Sequence, residues 1–233
     1  FIRDNLLIQT NVIDAAYRAN ARKLLFLGSS CIYPKHAPQP IQEESLLTGP
    51  LEETNLPYAV AKIAGKTMCD AYRHQFEFDA FTVMPSNVYG IGDNFDPQQS
   101  HVVAGLMRRF HEAQEAGAPE VVAWGTGSPL RELIDCDDFA DACVFLMKNY
   151  DKGGMVNAGS SEEVSIKQLT EMIAEITGYA GAIAWDDTKP DGTPRKIMDN
   201  QILERMGWRP KIDLRSGLER MYEWYLETGG KRI

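Results

Sequence analysis

Segments with the pattern of β-strands alternate with segments with the pattern of α-helices along this chain, and this alternation constrains its fold more than any other feature. Repeated strand, helix, strand order is typical of a parallel sheet with crossover helices. The sequence therefore predicts an α/β fold. The predicted strands are 23–27, 79–84, 120–124, 131–134 and one ending at 157, and the predicted helices are 1–20, 57–78, 100–116, 137–149 and 165–177.

The net charge, the length of the apolar runs and the cysteine spacing indicate which binding partners and which cellular compartment to expect. The 233 residues carry a net charge of −9, and an acidic chain repels phosphodiester backbones, so we expect no nucleic-acid partner. The longest apolar run, 142–147, is far shorter than the ~20 residues of a membrane-spanning helix, so we expect no membrane partner. The four cysteines form no C-x-x-C pair and no metal-ligand spacing, which favours free thiols, a cytoplasmic location and no metal site.

A cluster of small polar residues follows the predicted strand 23–27. Ser29, Ser30 and Cys31 come directly after it in "LFLGSSCIYP". Ligands of open parallel sheets bind beyond the carboxyl ends of the strands, so this cluster is a candidate site. Small polar residues also end strands for purely structural reasons, and Cys31 by itself suits a packed small hydrophobe.

Tyr58 and Lys62, in "PYAVAK", lie four residues apart in a predicted helix and therefore share one face. A phenol with a pKa of ~10 is a poor acid–base catalyst near neutrality, and a nearby ammonium lowers that pKa. With the hydroxyl of Ser29, the pair can protonate a carbonyl oxygen as hydride reaches its carbon. Taken without the serine, this spacing is common on solvated helix faces.

Three segments together, "SSCIYP", "YAVAK" and "MPSNVYGIGDNF", resemble the extended short-chain dehydrogenase/reductase family that acts on nucleotide sugars. Within it, Cys31 is similar to the cysteine of the 3,5-epimerase-4-reductases of GDP-4-keto-6-deoxy-D-mannose. The similarity covers nearly the whole chain, through "KPDGTPRK" to the last helix. It implies a Rossmann-like doubly wound parallel sheet, a smaller α/β substrate-binding domain, a GDP-sugar substrate and NADP(H) as cofactor.

The resemblance also implies catalytic roles. Tyr58 would donate a proton to the C4 carbonyl oxygen, Ser29 would polarise that oxygen, and Lys62 would lower the tyrosine pKa and bind the nicotinamide ribose. Cys31 and His101 would form the epimerisation pair. A C4 ketone acidifies the hydrogens on C3 and C5, so a base can form an enolate that an acid reprotonates. Thiols and imidazoles, with pKa values of about 8.5 and about 6.5, suit these roles.

Further residues are implied to bind the two ligands. A plain strand-end turn explains several of the cofactor positions equally well, Arg109 and Lys196 also suit solvated surface cations, and Trp124 also suits the core. Guanidinium groups match pyrophosphate oxygens, which favours a role for the arginines. The implied cofactor residues are Leu27, Gly28, Ser29, Ser30, Tyr58, Lys62, Pro85, Ser86, Asn87, Val88 and His101, and the implied substrate residues are Arg109, Trp124, Arg131, Asp191 and Lys196.

The sequence departs from the family at its start. Family members open with a strand and a glycine-rich G-x-x-G-x-x-G turn, and this chain has none. We therefore expect the N-terminal βαβ units to be absent from this chain, as in a fragment of a longer gene product, and the preference for NADP over NAD rests on resemblance alone. The expected dinucleotide-binding domain is 1–90 with a return segment near 130–158, and the expected substrate domain is 91–129 with 159–233.

Two other functions stay open. One is that of another nucleotide-sugar epimerase or dehydratase of the same family, and the other is that of a truncated, non-catalytic sugar-nucleotide binding protein. The resemblance also implies a homodimer formed through helices 1–20 and 57–78, which carry apolar residues on more than one side. Burial of those residues within one subunit explains the pattern equally well.

Overall fold

The computed structural model describes residues 1–189 and 191–231. Its α-helices are α1 (Ile2–Arg18), α2 (Leu56–Phe76), α3 (Val102–Glu115), α4 (Cys136–Asn149), α5 (Ile166–Thr177), α6 (Gln201–Arg205) and α7 (Leu214–Thr228). Its strands are β1 (Leu24–Leu27), β2 (Ala80–Pro85), β3 (Asn87–Tyr89), β4 (Glu120–Trp124), β5 (Leu130–Asp135), β6 (Met155–Ala158), β7 (Glu163–Ser165), β8 (Ala182–Asp186) and β9 (Arg195–Lys196). No helix in these ranges combines the length and apolar character that crossing a bilayer requires.

The strands and helices expected from the sequence are present, and the α/β prediction is confirmed. Local chemistry accounts for several of the ends. Helix α2 begins with Pro57 in its first turn, where a missing N–H costs nothing. Helix α5 begins with a capping box, in which Ser165 accepts from the backbone of Gln168 while the Gln168 side chain accepts from the backbone of Ser165.

Contacts divide the described chain into two compact units. The first contains residues 1–87, 139–161 and 197–210, and the second contains 88–138, 162–196 and the residues from 211 onward. This division differs from the expected one by three residues at each of two boundaries, 88–90 and 159–161, and more widely at two other places. Residues 130–138 belong to the second unit, and residues 197–210 belong to the first.

The first unit is built on a parallel sheet with the strand order β1-β2-β6. The register pairs Leu27 with Val83 and Pro85 with Ala158. Because the strands are parallel and in this register, their carboxyl ends meet at one edge of the sheet. The residues that follow β1, β2 and β6 therefore lie close to one another.

Helices α1 and α2 pack together, and Gly65 of α2 lies against Phe26 of β1 and Gln9 of α1. A Cβ atom on Gly65 would lie 2.3 Å from Phe26 Cζ and 2.9 Å from Gln9 Cδ. The side chain of Gln9 also donates to the backbone oxygen of Ala61 at 2.7 Å. A side chain larger than hydrogen therefore does not fit at Gly65 without displacing an aromatic ring.

The second unit contains two small sheets. Strands β4 and β8 pair in parallel, while β5 pairs antiparallel with β7 and parallel with β9. Helices α3, α5 and α7 contribute most of its apolar core, whose fully buried members include Phe110, Leu169, Ile173, Leu218 and Met221. The β5 sheet is therefore mixed, not purely parallel.

We expect the Gly65→Ala variant to be less stable than the wild type by roughly 1–3 kcal/mol, because overpacking against Phe26 outweighs the gain of ~1 kcal/mol that alanine brings to a helix. The thermal unfolding midpoint measures this effect. Gly105→Ala in α3 is the matched control, since its new Cβ would meet only the hydroxyl of Ser100, at 2.9 Å, which can rotate away. A Gly65→Ala variant as stable as Gly105→Ala would contradict this account.

Candidate active site

Ser29 and Cys31 are held in one tight turn directly after β1. The backbone N–H of Gly28 donates to Val83 O at 2.8 Å, which extends the pairing with β2 up to this turn. Ser29 then caps a single 3-10 turn over Ser30–Ile32, and its Oγ accepts from the backbone N–H of Cys31 at 3.2 Å. The hydroxyl of Ser29 is therefore fixed relative to the cysteine that follows it.

Helix α2 brings Tyr58 and Lys62 to this turn. Ser29 donates a side-chain hydrogen bond to the Tyr58 oxygen. Lys62 Nζ donates to the Leu27 backbone oxygen at 2.9 Å and lies 5.8 Å from the centre of the Tyr58 ring. The first unit thus brings together a hydroxyl, a phenol, an ammonium and a thiol, the four groups that the sequence analysis proposed there.

Burial is the largest influence on the pKa values of Tyr58 and Lys62. It raises the pKa of Tyr58, while the hydrogen bond from Ser29 lowers that pKa and the charge of Cys31 raises it. Burial also lowers the pKa of Lys62. The ammonium of Lys62 is directed at the end of β1, and its expected effect on the tyrosine stays a prediction.

The implied cofactor residues of the first unit line the carboxyl ends of β1 and β2. Leu27 is half exposed, whereas Gly28 and Ser30 are buried. Ser86 follows Pro85, and its backbone N–H donates to Ala158 O at 3.0 Å. The buried Ser86 hydroxyl has no hydrogen-bond partner within residues 1–189 and 191–231, which suits contact with a bound polar ligand. Asn87 belongs to the first unit and Val88 to the second.

His101 belongs to the second unit, where it is the N-cap residue of α3. Its side chain makes no capping hydrogen bond and is exposed. The imidazole is therefore not used to begin the helix, which leaves it accessible for chemistry.

Arg109 and Trp124 meet at one surface of the second unit. The Arg109 guanidinium lies 6.0 Å from the centre of the Trp124 ring and donates to Val122 O at 3.1 Å. Lys189 Nζ, which the sequence analysis did not single out, lies 5.9 Å from the same ring. Trp124 is 66% exposed, so the alternative that placed it in the core is wrong.

Arg131, Asp191 and Lys196 belong to a second cluster in the same unit. Arg131 is paired with Lys196 in the register of β5 and β9. Burial lowers the pKa of Arg131, and the negative charge of Asp191 opposes that shift. Asp191 also accepts from the backbone and hydroxyl of Thr126, at 2.7 and 2.8 Å. It thereby holds the glycine-rich turn after β4, although Pro190 of the "KPDGTPRK" segment lies outside the described residues.

Two buried residues beside the Ser29–Cys31 turn were not singled out from the sequence. Tyr33 is the tyrosine of "SSCIYP", and Asn157 lies at the end of β6. The Tyr33 hydroxyl donates to Asn157 Oδ1 at 2.6 Å. Tyr33 was visible in the quoted motif, but no spacing in the sequence connects it to a residue 124 positions away.

Comparison with known proteins places the chain in a family. Residues 1–159 match the NAD dependent epimerase/dehydratase family. A protein of Arabidopsis thaliana described as putative GDP-L-fucose synthase 2 is 61% identical, over 98% of this chain and 70% of that protein. The GDP-L-fucose synthase of Escherichia coli K12 is 46% identical, over 98% and 74%. The chain belongs to the GDP-L-fucose synthase branch of that family.

A solved structure shows the fold that this family shares. The GDP-L-fucose synthetase of Naegleria fowleri, crystallised with NADP bound, matches this chain with a TM-score of 0.93 at 27% identity. The match covers 98% of this chain and 75% of that one. The Rossmann-like expectation is thus confirmed, and the alternatives of another nucleotide-sugar enzyme or a non-catalytic binding protein are not favoured by these relatives.

We expect Tyr58 to titrate above the ordinary tyrosine value of ~10 in the ligand-free protein. Replacing Ser29 with alanine removes the one hydrogen bond that lowers this pKa, so Ser29→Ala raises it further. NMR titration of tyrosine labelled with carbon-13 at Cζ measures both values. Ser30→Ala is the control and leaves the Tyr58 pKa where it is, while a lower Tyr58 pKa in Ser29→Ala would contradict the assigned hydrogen bond.

Proposed function

We propose that this chain is an NADPH-dependent enzyme that converts GDP-4-keto-6-deoxy-D-mannose to GDP-L-fucose, by epimerisation at C3 and C5 followed by reduction at C4. The observation that carries this proposal is the turn after β1. It holds Ser29, which donates to Tyr58, and it holds Cys31, whose N–H donates to Ser29. Groups for carbonyl reduction and for carbon acid–base chemistry therefore share one turn, as the names of the relatives lead us to expect.

Reduction at C4 needs a proton donor at the ketone oxygen. Bound NADPH supplies the hydride to C4. Tyr58, whose pKa is raised by burial, keeps its proton at neutral pH and donates it to the developing alkoxide. Ser29 donates a second hydrogen bond to the same oxygen, for which it must turn its hydroxyl from Tyr58 toward the substrate. The oxygen is then stabilised by two donors as its charge grows.

Epimerisation at C3 and C5 needs a base and an acid. Cys31, as thiolate, removes the proton from the carbon beside the ketone, and the resulting enolate is reprotonated from the opposite face by His101 as imidazolium. The same pair acts at both carbons, since C3 and C5 both neighbour the C4 ketone, which acidifies the hydrogen on each. The half-buried position of Cys31 and the exposed imidazole of His101 suit groups that exchange protons with a ligand.

The cofactor and the substrate are assigned to different residues. Lys62 binds the nicotinamide ribose, and the unpartnered hydroxyl of Ser86 contacts the nicotinamide at the edge of the sheet. The remaining implied residues of the first unit, which supply further contacts to the cofactor, are Leu27, Gly28, Ser30, Pro85 and Asn87. In the second unit, Arg109 and Trp124 bind the nucleotide, and Arg131 binds the pyrophosphate with Lys196 while Asp191 shapes the turn beside them.

The assembly and location are part of the same proposal. Helices α1 and α2 expose large apolar side chains, among them Leu7, Ile8, Val12 and Val60. Exposed apolar side chains on these two helices suit the interface of a homodimer. Four cysteines without a disulfide among the described residues suit a reducing, cytoplasmic compartment.

Two substitutions separate the two reactions. We expect Cys31→Ser to lower deuterium exchange from heavy water into C3 and C5 of the keto sugar by about 10²- to 10⁴-fold, because an alcohol is far less acidic than a thiol. We expect Tyr58→Phe to spare this exchange and to lower hydride transfer by a comparable factor. Mass spectrometry of the sugar measures exchange, and oxidation of GDP-L-fucose by NADP⁺ measures hydride transfer without epimerisation.

The control for Cys31→Ser is another cysteine of the first unit. Cys69→Ser removes a fully buried thiol whose pKa burial raises to about 12, and it changes neither reaction in the folded protein. Equal loss of both reactions in Cys31→Ser and in Tyr58→Phe would contradict the assignment of Cys31 to epimerisation and of Tyr58 to reduction. If the wild type with cofactor present exchanged no deuterium into C3 and C5 of the keto sugar, the proposed function itself would be contradicted.

Binding of GDP alone tests the substrate residues. We expect Arg131→Ala to weaken GDP binding about 10- to 100-fold, which corresponds to losing a charge-assisted hydrogen bond of ~1.5–3 kcal/mol. Isothermal titration calorimetry measures the dissociation constant. Arg195→Ala is the matched control from the paired strand β9, because its guanidinium is bound to Glu163 at 2.6 Å instead. Equal weakening in both variants would contradict the assignment of Arg131.

A further inference from the structure

Two buried side chains anchor the far end of the turn that carries Ser29 and Cys31. Tyr33 follows the turn directly and is 3% exposed. Its hydroxyl donates to Asn157 Oδ1 at 2.6 Å, within the core of the first unit. Burial and the nearby carboxylate of Glu43 raise the Tyr33 pKa, so the hydroxyl keeps its proton and remains a donor.

Asn157 is a fixed partner because both polar atoms of its side chain are hydrogen-bonded. Its Nδ2 donates to Ile41 O at 2.9 Å and to Asp199 O at 3.2 Å. Its backbone N–H donates to Glu43 Oε1 at 2.9 Å. The side chain is fully buried, and a buried amide with every donor and acceptor paired has no alternative orientation of equal energy.

Two backbone hydrogen bonds close the turn between its two ends. The backbone N–H of Ile32 donates to Ser29 O at 3.1 Å, and that of Tyr33 donates to Ser30 O at 3.4 Å. A single 3-10 turn contributes little stability of its own, because its hydrogen-bond geometry is poorer than that of an α-helix. Ser29 sits at the end that the sheet holds, one residue after Gly28, whereas Cys31 lies in the middle of the turn, just before the buried side chains of Ile32 and Tyr33.

We propose that Tyr33 and Asn157 are positioning residues for Cys31, so that their hydrogen bond serves epimerisation more than reduction. This inference rests on the proposed function. Proton transfer to and from carbon requires the thiol to lie in line with one particular C–H bond, and a displacement of about 1 Å can cost about 10²-fold in rate. The hydride step depends instead on Ser29 and Tyr58, which β1 and α2 hold.

The test removes one hydroxyl in the full-length protein. We expect Tyr33→Phe to lower deuterium exchange into C3 and C5 about 10- to 100-fold, while the oxidation of GDP-L-fucose by NADP⁺ proceeds at nearly the wild-type rate. Tyr150→Phe is the matched control. Its hydroxyl is also buried in the first unit and donates to Gly153 O at 2.6 Å, and we expect its loss to leave both rates unchanged.

A second readout needs neither substrate nor cofactor. The rate of alkylation by iodoacetamide, measured for each cysteine by mass spectrometry, reports how accessible each thiol is to the reagent. We expect Tyr33→Phe to speed alkylation of Cys31 and to leave the fully buried Cys69 unreactive. Faster alkylation of both thiols would show general loosening of the unit, and it would overturn a role specific to Cys31.

A double-substitution cycle of Tyr33 and Asn157 distinguishes loss of their hydrogen bond from a general folding defect. In an Asn157→Ala background the anchor is already lost, so adding Tyr33→Phe causes no further loss of exchange. Independent, additive losses, or equal losses of exchange and hydride transfer in Tyr33→Phe, would overturn the inference. A wild type with neither reaction would overturn the proposed function, and this inference with it.

Discussion

The parallel register of β1, β2 and β6 is the constraint on which the candidate active site of the first unit depends. Because Leu27 pairs with Val83 and Pro85 pairs with Ala158, the three strands end at one edge of the sheet. Each strand then delivers one element to that edge: β1 the Ser29–Cys31 turn, β2 the unpartnered hydroxyl of Ser86, and β6 the side chain of Asn157. Side chains alternate along strands, so a shift of one residue would turn these groups away from one another.

Burial at this edge has a chemical consequence. It raises the pKa of Tyr58 and lowers that of Lys62, so both groups are driven toward their neutral forms. A neutral tyrosine is the state needed to donate a proton to a ketone oxygen. The Ser29 hydrogen bond acts in the opposite direction, which keeps the phenol acidic enough to give its proton up. Tyr33 and Asn157 add a polar connection that is fully satisfied and therefore rigid.

Much of this arrangement could be predicted from the sequence, because local patterns specify it. The alternation of strand and helix patterns predicted the α/β class. Ser165 and Gln168 predicted the start of α5, and the spacing of Tyr58 and Lys62 predicted that both lie on one helix face. The short strands β3, β7, β8 and β9 were not predicted, since two to five residues carry too little periodicity to separate a strand from a loop. The Tyr33–Asn157 bond also escaped prediction, because only the assembled sheet brings β6 beside the turn. The same reason explains why residues 197–210 were not assigned to the first unit, where Ile41 and Met198 pair as a parallel bridge.

The central claim is that one turn serves both carbon epimerisation and ketone reduction. Nuclear magnetic resonance of the product made from GDP-4-keto-6-deoxy-D-mannose and NADPH deuterated at the transferred position tests it most directly. The account predicts GDP-L-fucose with inverted C3 and C5 and with deuterium at C4. A product that carries deuterium at C4 but retains the original configuration at C3 and C5 would show reduction without epimerisation, and it would contradict the role assigned to Cys31.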